Sequence, residues 1–226
     1  MILNILTSPS KQQILSLPSI KRFIKIYAKN DNWHEIDQKA GNLGYGWLHY
    51  ALIRILRPKR ILNIGSRYGY IPATCALACK HNKKGVVDFV DAGYDQSKIQ
   101  DKKNNWGGVG FWTQKNAKNH FNKFELSDFI KLYVMTSENY SIKYSKYNWG
   151  YINIDGDHSY KGTKKNFNTF WPRLKKGGYI CFHDIYIKKR DGTIYGVQKL
   201  WKELQSKNKY KMMELPGEFG LGIIQK

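Results

Sequence analysis

Residues Arg60–Tyr70 read RILNIGSRYGY. Ile61, Leu62 and Ile64 make a short apolar strand, Gly65-Ser66-Arg67-Tyr68-Gly69 a tight turn, and Tyr70 to Lys80 a helical run that begins at once. A strand broken at glycine and passing straight into a helix directs free backbone N–H groups and a positive helix end into a crevice. In open α/β sheets such crevices lie at the carboxyl ends of parallel strands and take nucleotide-like ligands. The spacing excludes two familiar alternatives. The turn is G-x-x-x-G, not the G-x-G-x-x-G of dinucleotide sites, and no Lys-Ser/Thr follows the second glycine as in a P-loop.

Upstream, Ile20, Phe23, Ile24 and Tyr27 recur at helical spacing with basic residues between them, predicting a helix that packs its apolar stripe on the domain. Leu48, Ala51, Leu52 and Ile55 mark a second amphipathic helix, stopped by Arg57-Pro58. Downstream, strands are expected at Val86–Val90, Phe129–Met135, Trp149–Ile154 and Tyr179–Phe182, the last entered through a Gly177-Gly178 turn. Helices are expected at Thr113–Phe124, Glu138–Lys146, around Phe167 and Phe170, and around Leu200 and Trp201. Tyr210–Leu215 and Leu221–Ile224 close the chain as two strands around Pro216-Gly217. Such alternation means an α/β protein with a parallel sheet covered on both faces.

Composition narrows the partners. A chain of 226 residues with 42% hydrophobic and 15% aromatic content is folded, and is long enough to bury a core. Its 38 basic and 17 acidic residues give a net charge of +21, which favours polyanions such as nucleic acid or an anionic surface. Three cysteines (Cys75, Cys79 and Cys181) form neither a disulfide framework nor a C-x-x-C pair, consistent with a reducing, cytoplasmic setting. The N-terminal MILNILTSPSKQQ lacks a basic region ahead of its apolar stretch, so no signal peptide is expected. No apolar run is long enough for a transmembrane segment.

Three expected strands end in acids, at Asp91, Asp155 and Asp184, so the topology should bring these carboxylates to the crevice at Gly65. The densest stretch, YINIDGDHSY at Tyr151–Tyr160, pairs with GGYICFHDIY at Gly177–Tyr186. This layout resembles the class I S-adenosylmethionine-dependent methyltransferases, in particular the small-molecule O-methyltransferase branch with the IDGDHSY motif. The resemblance runs from about Leu43 to the C-terminus. It implies a Rossmann-like three-layer sandwich with a mostly parallel seven-stranded sheet and an antiparallel last strand. Residues 1–42 are then an N-terminal helical segment packing on a methyltransferase domain of residues 43–226.

The same resemblance implies site residues. Gly65, Ser66 and Gly69 fall on the loop around the methionine part of the cofactor, and Asp91 on the acid that binds the ribose hydroxyls. Thr136, Ser137 and Glu138 fall where relatives contact adenine. Asp155 falls on the first carboxylate of the Mg²⁺ site of metal-dependent members, completed here by His183 and Asp184. Two positions depart from the pattern: Asn63 replaces a usual Glu or Asp at the opening strand, and His183 replaces a usual Asp. Candidates for catalysis are His158, His183 and Asp155, with Asp157 as the N-cap of the following helix. The expected reaction is O-methylation of a small-molecule or sugar-like acceptor. The rival readings are methylation of RNA or another polyanion, and a non-catalytic domain of the same fold. A homo-oligomer is compatible with the sequence. The insertion Asp95–Trp112, with glycines between aromatics, reads as a lid or acceptor-binding loop.

Overall fold

The computed structural model describes residues 16–29, 31–98, 108–187 and 196–226. Its opening strand β1 (Arg60–Ile64) alternates Ile61 and Asn63 toward one layer with Leu62 and Ile64 toward the other, and Ile61 through Ile64 are all buried. A strand covered on both faces must be central, and β1 lies between β2 (Val86–Asp91) and β4 (Trp149–Ile154), parallel to both. With β3 (Ile130–Val134), β5 (Leu174–His183), β6 (Lys211–Leu215) and β7 (Leu221–Gln225), the sheet has seven strands in the order β3-β2-β1-β4-β5-β7-β6. Strand β7 runs antiparallel to β5 and β6, so the expected antiparallel last strand is present. The order reverses between β1 and β4, which opens a crevice at the carboxyl ends of those strands.

Helices α1 (Leu17–Tyr27), α2 (Tyr45–Leu56) and α3 (Tyr70–Asn82) cover one face. Helices α4 (Ser137–Lys143), α5 (Tyr160–Phe170) and α6 (Val197–Ser206) cover the other. The α1 stripe is buried as its spacing predicts, and the Tyr27 hydroxyl donates to the Lys123 carbonyl at 2.7 Å.

Four local expectations are corrected. In α2 the buried residues are Tyr45, Gly46, His49 and Ile53, while Ile55 is 76% exposed. A partner inside the core, the Tyr151 hydroxyl 2.7 Å from His49 Nδ1, turns this polar residue inward. The segment expected as helix Thr113–Phe124 forms 3₁₀ turns at Phe111–Thr113 and Ala117–Glu125, broken by non-helical Lys123 and Phe124. Its aromatics decide this: Trp112 and Phe121 stack 5.5 Å apart and are buried together, which a continuous helix from Thr113 would not allow. Strand β5 starts at Leu174, so the glycine pair lies within it, beside a register shift against β4. Helix α5 is capped by Ser159, whose hydroxyl accepts from the Gly162 N–H at 3.0 Å. Asp157 instead accepts from the Ser159 N–H at 2.9 Å.

Candidate active site

The ends of β1, β2, β4 and β5 surround one cavity of about 330 Å³, within the range of small-molecule sites. Gly65, Ser66, Asp91, Thr136, Ser137, Glu138, Asp155, His158, His183 and Asp184 all line it. Gly65 sits there because nothing larger could. Its φ is +76°, and a Cβ would lie 2.2 Å from the Asp155 carbonyl oxygen at the end of β4.

The expectation of free N–H groups in the glycine turn is corrected at three positions. Gly65 donates to the Val90 carbonyl at 2.8 Å, Ser66 to Asp91 Oδ2 at 3.1 Å, and Gly69 to the Ser66 hydroxyl at 3.1 Å. The turn is braced by its neighbours before any ligand arrives. Asp91 Oδ1 takes the Gly93 N–H at 2.8 Å, and burial raises the Asp91 pKa against the pull of the Gly93 and Ser66 bonds. An ionised carboxylate has about four acceptor directions, so two remain for hydroxyl donors.

Two positions expected at the cofactor lie off the cavity wall. Asn63 is fully buried beneath α3, its amide facing the Cys75 thiol. Gly69 caps α3 at φ +87°, and a Cβ there would press on Trp112 and Phe121. Around the far rim, Thr136 caps α4 by accepting from the Asn139 N–H, and the Ser137 hydroxyl donates to Asn166 Oδ1 at 2.7 Å. The insertion contributes Gly108 to Trp112 to the wall, where the Trp112 indole donates to the Ser66 carbonyl at 2.7 Å. Within the expected lid, residues 99–107 lie outside the described residues.

At the other end of the cavity, carboxylates and imidazoles converge. His183 Nδ1 lies 3.0 Å from Asp184 Oδ1 and 3.4 Å from Asp155 Oδ1. His158 Nε2 lies 3.4 Å from Asp184 Oδ2 and 3.5 Å from Asp155 Oδ1. A fifth member, His34, places Nε2 3.5 Å from Asp155 Oδ2. Sequence reasoning missed it. His34 stands in an irregular stretch, NDNWHEID, with no periodicity or motif to single it out. Asp184 follows β5 at φ +67°, a left-handed conformation uncommon outside glycine that turns its carboxylate into the cluster.

Electrostatics bind these groups into one proton-sharing unit. Burial disfavours charge on both His158 and His183, yet the facing carboxylates outweigh it and raise both pKa values. Burial likewise works to raise Asp155 and Asp184, but the imidazoles hold both below the usual carboxylate range. His34 differs: burial, with His183 beside it, pulls it down to about 3, so its imidazole is neutral.

This donor set does not fit Mg²⁺, the ion expected at Asp155, His183 and Asp184. Magnesium takes near-octahedral oxygen ligands and keeps several waters. Here three imidazoles crowd two carboxylates.

A doubly covered α/β sheet with a cavity at its switch point defines a Rossmann-like α/β class. Within it, this chain belongs to the methyltransferase-domain family, whose model matches residues 62–185, more than half of its length. Among solved structures it resembles the O-methyltransferase TomG of Streptomyces achromogenes in complex with S-adenosylmethionine (TM-score 0.61, 13% identity, covering 92% of this chain and 88% of that one). It also resembles an O-methyltransferase of Bacillus cereus in complex with S-adenosylhomocysteine (TM-score 0.62, 13% identity, 98% and 94%). A third is the S-adenosylhomocysteine-bound methyltransferase PaMTH1 of Podospora anserina (TM-score 0.61, 16% identity, 92% and 86%). An uncharacterised protein of Sinorhizobium fredii, y4gI, is 22% identical over 192 residues, 84% of this chain. The chain spans about a fifth (20%) of the length of that curated relative.

Proposed function

We propose that this methyltransferase uses S-adenosylmethionine to methylate an oxygen of a small-molecule or sugar-like acceptor, as in the O-methyltransferase branch with the IDGDHSY motif. One observation carries the reading: the braced glycine turn, the Asp91 carboxylate and the histidine–aspartate cluster line a single cavity. The glycine turn at Gly65 and Ser66 receives the methionine part, Asp91 the ribose hydroxyls, and Thr136 and Ser137 the adenine side. The sulfonium methyl then points toward the cluster, where the acceptor hydroxyl is held.

In the reaction the acceptor oxygen bonds to the methyl carbon, the carbon–sulfur bond breaks, and its electron pair stays on sulfur as a neutral thioether. The hydroxyl proton passes to the unit of Asp155, His158 and His183. Most of the acceleration comes from alignment, because in-line attack needs both partners held within contact distance. The S-adenosylhomocysteine and S-adenosylmethionine complexes of the fold's relatives support the cofactor. The free, buried cysteines support a cytoplasmic setting, and α1 of the N-terminal segment packs on the 43–226 domain. The described residues contain no helix long and apolar enough to cross a membrane.

Calorimetric titration with S-adenosylmethionine, followed by transfer of a labelled methyl group to a hydroxylated acceptor panel, tests this. We expect one equivalent of cofactor to bind at micromolar strength. No binding leaves the non-catalytic alternative. The +21 charge supports a second reading with a polyanionic acceptor. RNA affinity that collapses between low and moderate salt would favour it, and no affinity at low salt would remove it.

A further inference from the structure

We propose that His34, Asp155 and His183 form a site for a first-row transition dication of the zinc, iron or cobalt kind, and that this site rejects magnesium. The proposal deepens the active-site reading, since the ion would sit in the same cavity.

Distances speak first. His34 Nε2 and His183 Nδ1 lie 3.5 and 3.4 Å from the Asp155 oxygens. Charge-assisted hydrogen bonds close to about 2.7–2.9 Å. His34 meets Oδ2 and His183 meets Oδ1 of the Asp155 carboxylate, and separations near 3.4 Å leave room between the donors for an ion whose bonds are about 2.1 Å long. One ligand atom from each of the three residues can be chosen so that all lie within 4.8 Å of one another.

The tautomer of His183 points the same way. Its Nε2 lies 2.8 Å from the Trp33 carbonyl oxygen, which can only accept, so Nε2 carries the hydrogen. Nδ1 is thereby the nitrogen turned to the Asp184 and Asp155 carboxylates. A ligating histidine that donates its other N–H to a backbone carbonyl is the usual support of a metal site. Here one short arm supplies both parts, Trp33 as acceptor and His34 as ligand.

The arm is built into the fold. The His34 carbonyl accepts from the Tyr45 N–H at 2.8 Å, and a Cβ on Gly44 would lie 2.0 Å from that same oxygen. Glu35 takes the Glu218 N–H at 2.7 Å, and the Tyr45 hydroxyl donates to Pro216, tying the arm to the β6–β7 turn. His34 is 8% exposed. Its entry changes the preference of the site, because imidazole suits zinc, iron and cobalt while magnesium prefers oxygen and water.

The test titrates the metal-stripped full chain with zinc sulfate, cobalt chloride and magnesium chloride by calorimetry, with cobalt also followed by its visible absorption. One equivalent of zinc or cobalt should bind at least about 100-fold tighter than magnesium. His34→Gln should weaken zinc about 10- to 100-fold and shift the cobalt spectrum, with circular dichroism unchanged, while His158→Gln keeps one equivalent. Should His34→Gln fail to fold, Asp155→Asn must show the same loss. Magnesium binding as tightly as zinc, wild-type zinc affinity in His34→Gln, or no uptake of zinc would each overturn the proposal. Titration of the same sample with S-adenosylhomocysteine separates the two readings. Nucleoside binding without zinc uptake overturns the metal site alone. Zinc uptake without nucleoside binding supports the metal site and overturns the methyltransferase reading.

Discussion

Asp91 carries two tasks with one carboxylate. It holds the glycine turn through the Ser66 and Gly93 N–H groups, and it presents its remaining acceptor directions to the cavity. Asp91→Asn keeps one carbonyl oxygen but turns the other position into a donor, which repels both a backbone N–H and a ribose hydroxyl. We expect cofactor affinity to fall about 10- to 100-fold, as for loss of one or two charge-assisted bonds of roughly 1.5–3 kcal/mol each. Thermal stability should change less than affinity, and calorimetry beside a melting curve checks both. At this scale most of the site was legible. Gly65, Asp91, Asp155, His158, His183 and Asp184 stood out because each sits at a strand end or in a dense motif. Asn63 and Gly69 stood in the same window, yet one points under α3 and the other caps it. A strand sends alternate residues to opposite layers, so proximity in sequence does not decide which of them reach a cavity.

Between elements, a buried ion pair lies on the side of the strands away from the cavity. Asp88 in β2 is fully buried and paired with Arg60 at the start of β1, whose second guanidinium nitrogen reaches Asp88 Oδ1 at 2.9 Å. The Trp149 indole adds a bond at 2.9 Å, and the guanidinium lies 3.7 Å from the Tyr147 ring centroid. Three strands are thereby joined through one carboxylate. Arg60→Met leaves that carboxylate without its cation and should destabilise the fold by about 3–5 kcal/mol in urea melts. Adding Asp88→Leu to it should recover part of the loss, because the uncompensated charge is then gone. A neutral result for Arg60→Met alone would show that the pair does not hold these strands together. Element positions were readable from periodicity, whereas the inward face of α2 and the 3₁₀ turns after Phe111 were not. Each was settled by a partner far along the chain, Tyr151 for His49 and the Trp112–Phe121 stack for the turns.

Across the whole molecule, buried neutral histidines set the acid limit of the fold. Burial, aided by His34 and His183, pulls His49 from 6.5 to about 3, while its Nδ1 meets the Tyr151 hydroxyl. Between those two values the folded chain binds fewer protons there than the unfolded chain. Stability from this group is therefore fully present above pH 6.5 and is lost as the pH falls toward 3. By pH 5 the loss from His49 alone is about 2 kcal/mol. Urea melts at pH 7.5 and pH 5 should show a drop smaller by about that amount in His49→Phe, and equal drops in the two proteins would exclude the assignment. The alternation of strands and helices, the doubly covered sheet, the glycine bend and the acids at the strand ends are all readable in the order of the amino acids. These follow from local apolar periodicity and from the rule that strand ends gather along one edge. That His34 joins Asp155 and His183 emerges from the folded chain alone. A contact between an irregular arm and a strand 121 residues away leaves no periodic trace, and it exists only once the β6–β7 turn and Gly44 hold the arm in place.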